Sequence, residues 1–226
     1  MLKIGSIVMK QILRNNFFSK IGILFILLQI VVQCTGLKNR YLKNGDLLFI
    51  TAKESGLSGA INKVTQKQRN ISFDHIGILE IVDNDFFVLH ASPVGGSQRQ
   101  SFKEFVKDQE GDKQKIIVYR LKKEYEKVIP DAIKNAKSML GKPYNDIYIL
   151  NEDSYYCSDF VERAFRDAHI FKLEPMTFKD RVTGQINSFW DGFYKKKNIP
   201  IPEGKLGCNP NGLAGSDKLE MVMEYR

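Results

Sequence analysis

The apolar and polar positions of this chain fall mostly into short runs of strand type, with clear helical spacing in two places. Leu47–Ile50 is a short apolar run entered from Asn44-Gly45-Asp46, which predicts a strand fed by a turn. Asp74–Val82 and Asp85–Ala91 read as two strands in tandem, joined across Asp83-Asn84. Lys115–Leu121 sets Ile117, Tyr119 and Leu121 against Val118 and Arg120. Leu219–Tyr225 sets Leu, Met, Met and Tyr against Glu, Val and Glu, a half-buried strand that would return the C-terminus to the sheet. The first helical pattern opens with Pro130 at its first position and runs through Ile133, Ala136, Lys137 and Leu140 to Gly141 as a C-cap. The second carries Phe160, Val161, Ala164, Phe165 and Ala168 on one face, with Cys157 in its first turn and Ser154 as N-cap. Weaker signals predict a short helix around 58–65 and a helical turn at 101–108. They also predict a helix or long loop over 178–197 and a Pro/Gly-rich ordered loop over 198–217. The sum is an α+β fold: a small antiparallel sheet or half-barrel packed against the cysteine-bearing helix, in one domain from about residue 37 to 226.

The register of the tandem strands carries chemistry. A tight turn at Asp83-Asn84 places His90 opposite Gly77 and brings His75 and His90 to the same face as diagonal neighbours, roughly 7–8 Å apart at Cβ. Gly77 leaves room between the two rings. A thiol at a helix start meets unpaired backbone N–H groups, and an imidazole beside it adds to the effect. Both predict a depressed pKa and a nucleophilic Cys157. The bland alternatives are a buried core cysteine, core histidines and a Cys/His/His metal site, the last without a fourth ligand. His169 reads as a residue complementing a helix C-terminus, and Asp74 and Asp159 as turn and helix-start residues. No cofactor and no metal is expected.

Charge and composition narrow the class. The net charge of +8 is uneven, because residues 1–33 hold Lys3, Lys10, Arg14 and Lys20 with no acid. The remainder has only a mild basic excess and no basic face with interleaved aromatics, so nucleic acid is not an expected partner. A basic start ending at Lys20, then an uncharged run from Ile21 to Gln33, reads as an export signal or an N-terminal membrane anchor. Either places the rest of the chain outside the cytoplasm, in the bacterial cell envelope or secreted. Cys34 follows the run as in a lipoprotein cleavage site, although Gln33 departs from the usual small residue. Residues 1–33 and Cys34 are therefore the expected points of membrane attachment. Three cysteines are too few for a disulfide scaffold, and a Cys157–Cys208 bridge, which would silence the nucleophile, stays open.

Gly45-Asp46-Leu47-Leu48-Phe49, Asp74-His75-Ile76-Gly77-Ile78 and Val88-Leu89-His90-Ala91 together resemble the strand motifs of NlpC/P60 papain-like peptidases. Here the cysteine helix follows the strands. That is the order of the circularly permuted, YiiX/YebB-like branch related to lecithin retinol acyltransferases. Gly141-Lys142-Pro143-Tyr144 and Tyr156-Cys157-Ser158-Asp159-Phe160-Val161 match that branch's pattern as well. The resemblance implies Cys157 as nucleophile, His75 as general base, His90 as the polar group that orients it, and Tyr144 and Tyr156 as substrate-binding residues. It implies a thiol hydrolase or acyltransferase acting on an amide or ester acyl group, with a small-molecule, peptide or lipid acyl substrate; the expected envelope location favours a peptidoglycan peptide. The competing class is a non-catalytic envelope module that uses the same cleft to hold lipid or peptide. Residues 92–100 and the stretch around Cys208 are expected to form the rims of that cleft.

Overall fold

The computed structural model describes residues 39–65, 71–110 and 113–225. The expected export segment and Cys34 lie outside the described residues. The chain divides into a unit of residues 1–42 and a unit of residues 43–226, and the second contains every element below.

The unit is built on β1 (Leu47–Thr51), whose first four residues are completely buried. Such a run, apolar on both faces, belongs in the middle of a sheet covered on both sides. β1 pairs antiparallel with β2 (Phe73–Val82) on one side and with β5 (Ile116–Leu121) on the other. β3 (Asp85–Ser92) and β4 (Gly96–Ser101) extend the sheet beyond β2, and β8 (Leu219–Glu224) beyond β5, giving the order β4-β3-β2-β1-β5-β8. The 92–100 stretch, expected as a rim of the cleft, is mostly this edge strand β4, so it is spent on pairing with β3.

Asp83 and Asn84 both take positive φ, 51° and 69°, which is the requirement of a type I′ hairpin turn. Asp and Asn tolerate that region, so the turn forms without glycine. The β2–β3 register runs from Val82↔Asp85 to Ile78↔Leu89. Beyond it Gly77 faces His90: a Cβ placed on Gly77 would stand 3.2 Å from Cβ of His90 and 2.5 Å from a methyl of Val88.

Two irregularities escape a reading by alternation. Thr51 pairs with Phe73 and Ile50 with His75, so Asp74 is one extra residue on β2, a β-bulge beside His75. The bulge lets Phe73 and Ile76 enter the same core cluster, although strict alternation would separate them. On β8, Met221 and Met223 pair with adjacent residues of β5, leaving Val222 as the extra residue. Met221 is consequently turned out and 53% exposed, against the expected half-buried face.

One face of the sheet carries the main core. There α3 (Ile129–Ser138), α4 (Cys157–Ala164) and the short α6 (Pro210–Ala214) pack on Leu47, Phe49, Ile76, Ile78, Leu89 and Ala91. α3 begins with Pro130 in its first turn. The opposite face is covered by α2 (Phe102–Glu110), through the fully buried Phe105. Two buried carboxylates tie the frame. Asp46 receives Arg120 through two bonds of 2.7 Å, and Glu80 takes Arg99 at 2.6 Å and Lys137 at 2.9 Å. α1 (Gly56–Thr65) and α5 (Ser188–Lys197) build a second cluster around Phe178, Trp190 and Tyr194. Between them, β6 (Glu174–Pro175) and β7 (Leu206–Gly207) pin the long connection into the Cys208 loop.

Candidate active site

α4 starts at Cys157, and its N-cap is Tyr156 in extended conformation with no side-chain cap. Ser154 is not the cap. Its N–H and hydroxyl both donate to Asn151 Oδ1, at 2.9 and 3.1 Å, within the preceding turn. An uncapped first turn leaves backbone N–H groups available to whatever stands at the helix start. Those of Cys157 and Ser158, together with the N–H of Ile76 from β2, act on the sulfur in the sense that favours its thiolate. The thiol itself donates to the carbonyl of Asp74 at 3.9 Å. Cys157 is therefore wedged against the backbone on either side of His75, where β2 has left its ladder with β3.

The thiol is not the depressed one that the helix start predicts. Burial pushes it up to about 12, and the nearby Asp74 carboxylate pushes the same way. The helix-terminal N–H groups do lower it, but a helix terminus is worth about 0.3–1 kcal/mol, and up to ~2 in favourable sites. Full burial of a charge shifts a pKa by as much as ~3–5 units at about 1.4 kcal/mol each. Desolvation outweighs the helix terminus.

His75 and His90 meet: Nε2 of His75 lies 2.9 Å from Nδ1 of His90, with the rings nearly edge-on at 5.1 Å and 79°. Phe105 packs against both, its ring 6.1 Å from His75 and 5.2 Å from His90. Burial, and for His75 the neighbouring ring as well, lowers the pKa values to about 3 for His75 and about 4 for His90. Both imidazoles are neutral at physiological pH. The pair sits on the α2 face of the sheet, whereas Ile76 points to the α4 face. Neither ring is hydrogen-bonded to the thiol. What links them is position: the sulfur touches the backbone of residues 74 and 76. Nε2 of His75 is taken by His90.

Tyr144 forms an isolated parallel bridge with Tyr155, which holds its loop beside the start of α4. Burial pushes the pKa of its hydroxyl well above the ordinary value, while the nearby Cys157 N–H acts the other way. Tyr156 is 2% exposed and lines the cavity beside the thiol, and its hydroxyl accepts the N–H of Cys208 at 3.2 Å and lies 3.9 Å from that sulfur. Cys157 and Cys208 are free thiols, so no bridge silences the site.

A cavity of about 610 Å³ opens beside the thiol. Asp74, Tyr144, Tyr148, Cys157, Met176 and Trp190 contribute to its wall, and Gly207, Cys208 and Asn209 form the rim expected from the Pro/Gly-rich stretch. Neither histidine lines it. Sequence reasoning misses Tyr148, although a tyrosine at φ +57° is an unusual backbone state. It also misses the wall from Met176 to Trp190, which carries no periodic signal. Asp159, read as a helix-start residue, is completely buried and bonds Arg163 at 2.7 Å. Arg163 in turn holds Glu152 and the Asn151 carbonyl, each at 2.8 Å. The arrangement fastens the cysteine helix to the loop that leads into it.

With this geometry in hand, comparisons with known proteins are informative. Residues 41–223 match the family described as permuted papain-like amidase enzymes, YaeF/YiiX, C92. The uncharacterized protein YiiX of Escherichia coli (strain K12) is 25% identical over 169 residues, covering 71% of this chain and 77% of YiiX. A crystal structure described as that of metalloprotein yiiX from Escherichia coli O157:H7 superposes with a TM-score of 0.64. It is 21% identical and covers 80% of this chain and 97% of its own, a likeness of fold.

Proposed function

The chain belongs to the permuted papain-like amidase family of YaeF and YiiX, and from that premise we propose that it is a thiol acyl hydrolase with Cys157 as nucleophile. The observation that carries the reading is the placement of Cys157: an uncapped helix start, backbone N–H groups around the sulfur, and a cavity in front of it. We assign His75 as general base through Nδ1, a role that requires its ring, which packs on the α2 face at rest, to turn toward the sulfur, and His90 as the group that holds its Nε2 side. In the forward step the thiol proton passes to His75 as sulfur attacks the acyl carbon, so no standing ion pair is required. The carbonyl oxygen gains negative charge and takes the Cys157 N–H, with the Tyr144 hydroxyl beside it as second donor. The imidazolium then protonates the departing amine or alcohol. Water, or a second acceptor, cleaves the thioester left on Cys157. The acceptor distinguishes hydrolase from acyltransferase.

The substrate we assign is an amide- or ester-linked acyl compound, a peptidoglycan-derived peptide or a lipid, reached outside the cytoplasm after residues 1–33 direct export or anchoring. The described relative is titled a metalloprotein. Among the described residues here, no three His, Cys, Asp or Glu side chains gather as metal donors. His75 and His90 moreover turn their facing nitrogens on each other. The residues present do not fit a metal, and no step passes through one.

One observation favours the binding module instead: the thiol bonds the Asp74 carbonyl and neither imidazole. Assaying the full-length protein against a muropeptide amide, a fatty-acyl amide and a fatty-acyl ester separates the two. The hydrolase reading expects cleavage of at least one, lost in Cys157→Ala. Cleavage of none, or cleavage indifferent to Cys157→Ala, overturns it.

A further inference from the structure

Nε2 of His90 is completely buried and has no partner at hydrogen-bond distance. A neutral imidazole carries one proton on two nitrogens, so the group facing Nε2 decides which nitrogen holds it. Gln100 on β4 pairs with Val88, which places it on the face of His90 as its diagonal neighbour. Its side chain stands close enough to the His90 ring to raise that ring's pKa, and the Asp108 charge acts in the same sense. Gln100 Nε2 donates to Asp108 Oδ2 at 2.7 Å. Asp108 stands one turn beyond Phe105, whose ring meets His90 edge-on at 5.2 Å. A carboxylate only accepts, so the amide nitrogen must face Asp108 and the amide oxygen is left for the ring.

We propose that Gln100 and Asp108 are positioning residues: Asp108 orients the Gln100 amide so that its oxygen takes the Nε2 proton of His90. The consequence runs along the chain of contacts. With its proton on Nε2, His90 can only accept at Nδ1, so the 2.9 Å contact is a bond donated by Nε2 of His75. His75 then holds its lone pair on Nδ1, the nitrogen assigned as base. With the opposite tautomer His75 would carry its proton on Nδ1 and could not act as base. The last link, toward Cys157, rests on the proposed function; the tautomers do not.

The chain has three histidines, so the test is tractable. Full-length protein carrying ¹⁵N-histidine is examined at neutral pH by two-bond ¹H–¹⁵N correlation, which separates protonated from unprotonated ring nitrogens. The expected result is both His75 and His90 neutral and protonated on Nε2. Gln100→Leu should move His90 to a mixture of tautomers and slow iodoacetamide labelling of Cys157 by about tenfold. The combined Gln100→Glu and Asp108→Asn exchange keeps an acceptor toward His90 and should restore the Nε2 proton. A proton on Nδ1 of His90 in the unaltered protein, or tautomers indifferent to Gln100→Leu, would overturn the assignment. Failure of the exchange to restore the tautomer, in a protein folded by its backbone amide spectrum, would overturn it as well. A protein with these tautomers but no acyl hydrolysis would count against the proposed function and leave the relay standing.

Discussion

His75 and His90 come from adjacent strands and share one contact, Nε2 to Nδ1 at 2.9 Å, made possible by a residue with no side chain between them. Gly77 keeps the space that any larger residue would take from the rings. Gly77→Ala should cost about 1–3 kcal/mol through overpacking against Val88 and should widen the histidine contact. Chemical denaturation reports the first effect, and loss of the ¹⁵N pattern of the pair reports the second.

The roles assigned to the pair differ in severity. His75→Ala removes the base and should lower turnover by at least about a hundredfold, whereas His90→Ala removes an orienting group and should lower it by about tenfold. Michaelis constants should move little in either variant. Equal losses in turnover for both would mean that the two rings act as one unit.

The thiol should be protonated at rest. Burial and the Asp74 carboxylate push Cys157 up to about 12, so the protein should show no thiolate absorbance near 240 nm at neutral pH attributable to this residue. Asp74→Asn removes a negative charge beside the sulfur and should bring its titration to lower pH. Spectrophotometric titration of both proteins against Cys157→Ser measures this. A thiolate already present at pH 7 would contradict this and show that the charged form stands before substrate binds.

Asp159 predicts a pH dependence of stability. Burial, opposed by Arg163, raises its carboxyl from 3.8 to about 6. The folded state holds this proton more tightly than the unfolded state. Its stabilising effect is complete below about pH 4 and is lost as pH rises through about 6, an effect of about 3 kcal/mol. Asp159→Asn should flatten that dependence. Arg163→Ala should cost about 3–5 kcal/mol above pH 6, because it strands the buried carboxylate. Thermal melts of the three proteins from pH 4 to 7 check both slopes.

The hairpin, its register and the shared face of the two histidines were legible because Asp83-Asn84 satisfies a two-residue turn and the side-chain period of a strand is fixed. The helix start at Cys157 was legible from its apolar spacing. The bulge at Asp74 was not, since one inserted residue leaves no mark on composition, yet it is what sets Phe73 and Ile76 on one face and Asp74 against the sulfur. The rise of the Cys157 thiol with burial was not legible for an energetic reason: sequence shows the helix terminus but not the depth at which it is buried. The cavity wall from Met176 to Trp190 was hidden because its residues come from an irregular connection and meet only through the Phe178–Trp190 cluster.

The central claim, that Cys157 carries the acyl group, is tested most directly by trapping the intermediate. Full-length protein mixed with p-nitrophenyl octanoate is quenched in acid and read by intact and peptide mass spectrometry. The account predicts an octanoyl adduct confined to Cys157, absent in Cys157→Ser, strongly reduced in His75→Ala, and formed with a burst of p-nitrophenol. An adduct at Cys208 or at a lysine, or none at Cys157 while ester is consumed, would contradict it.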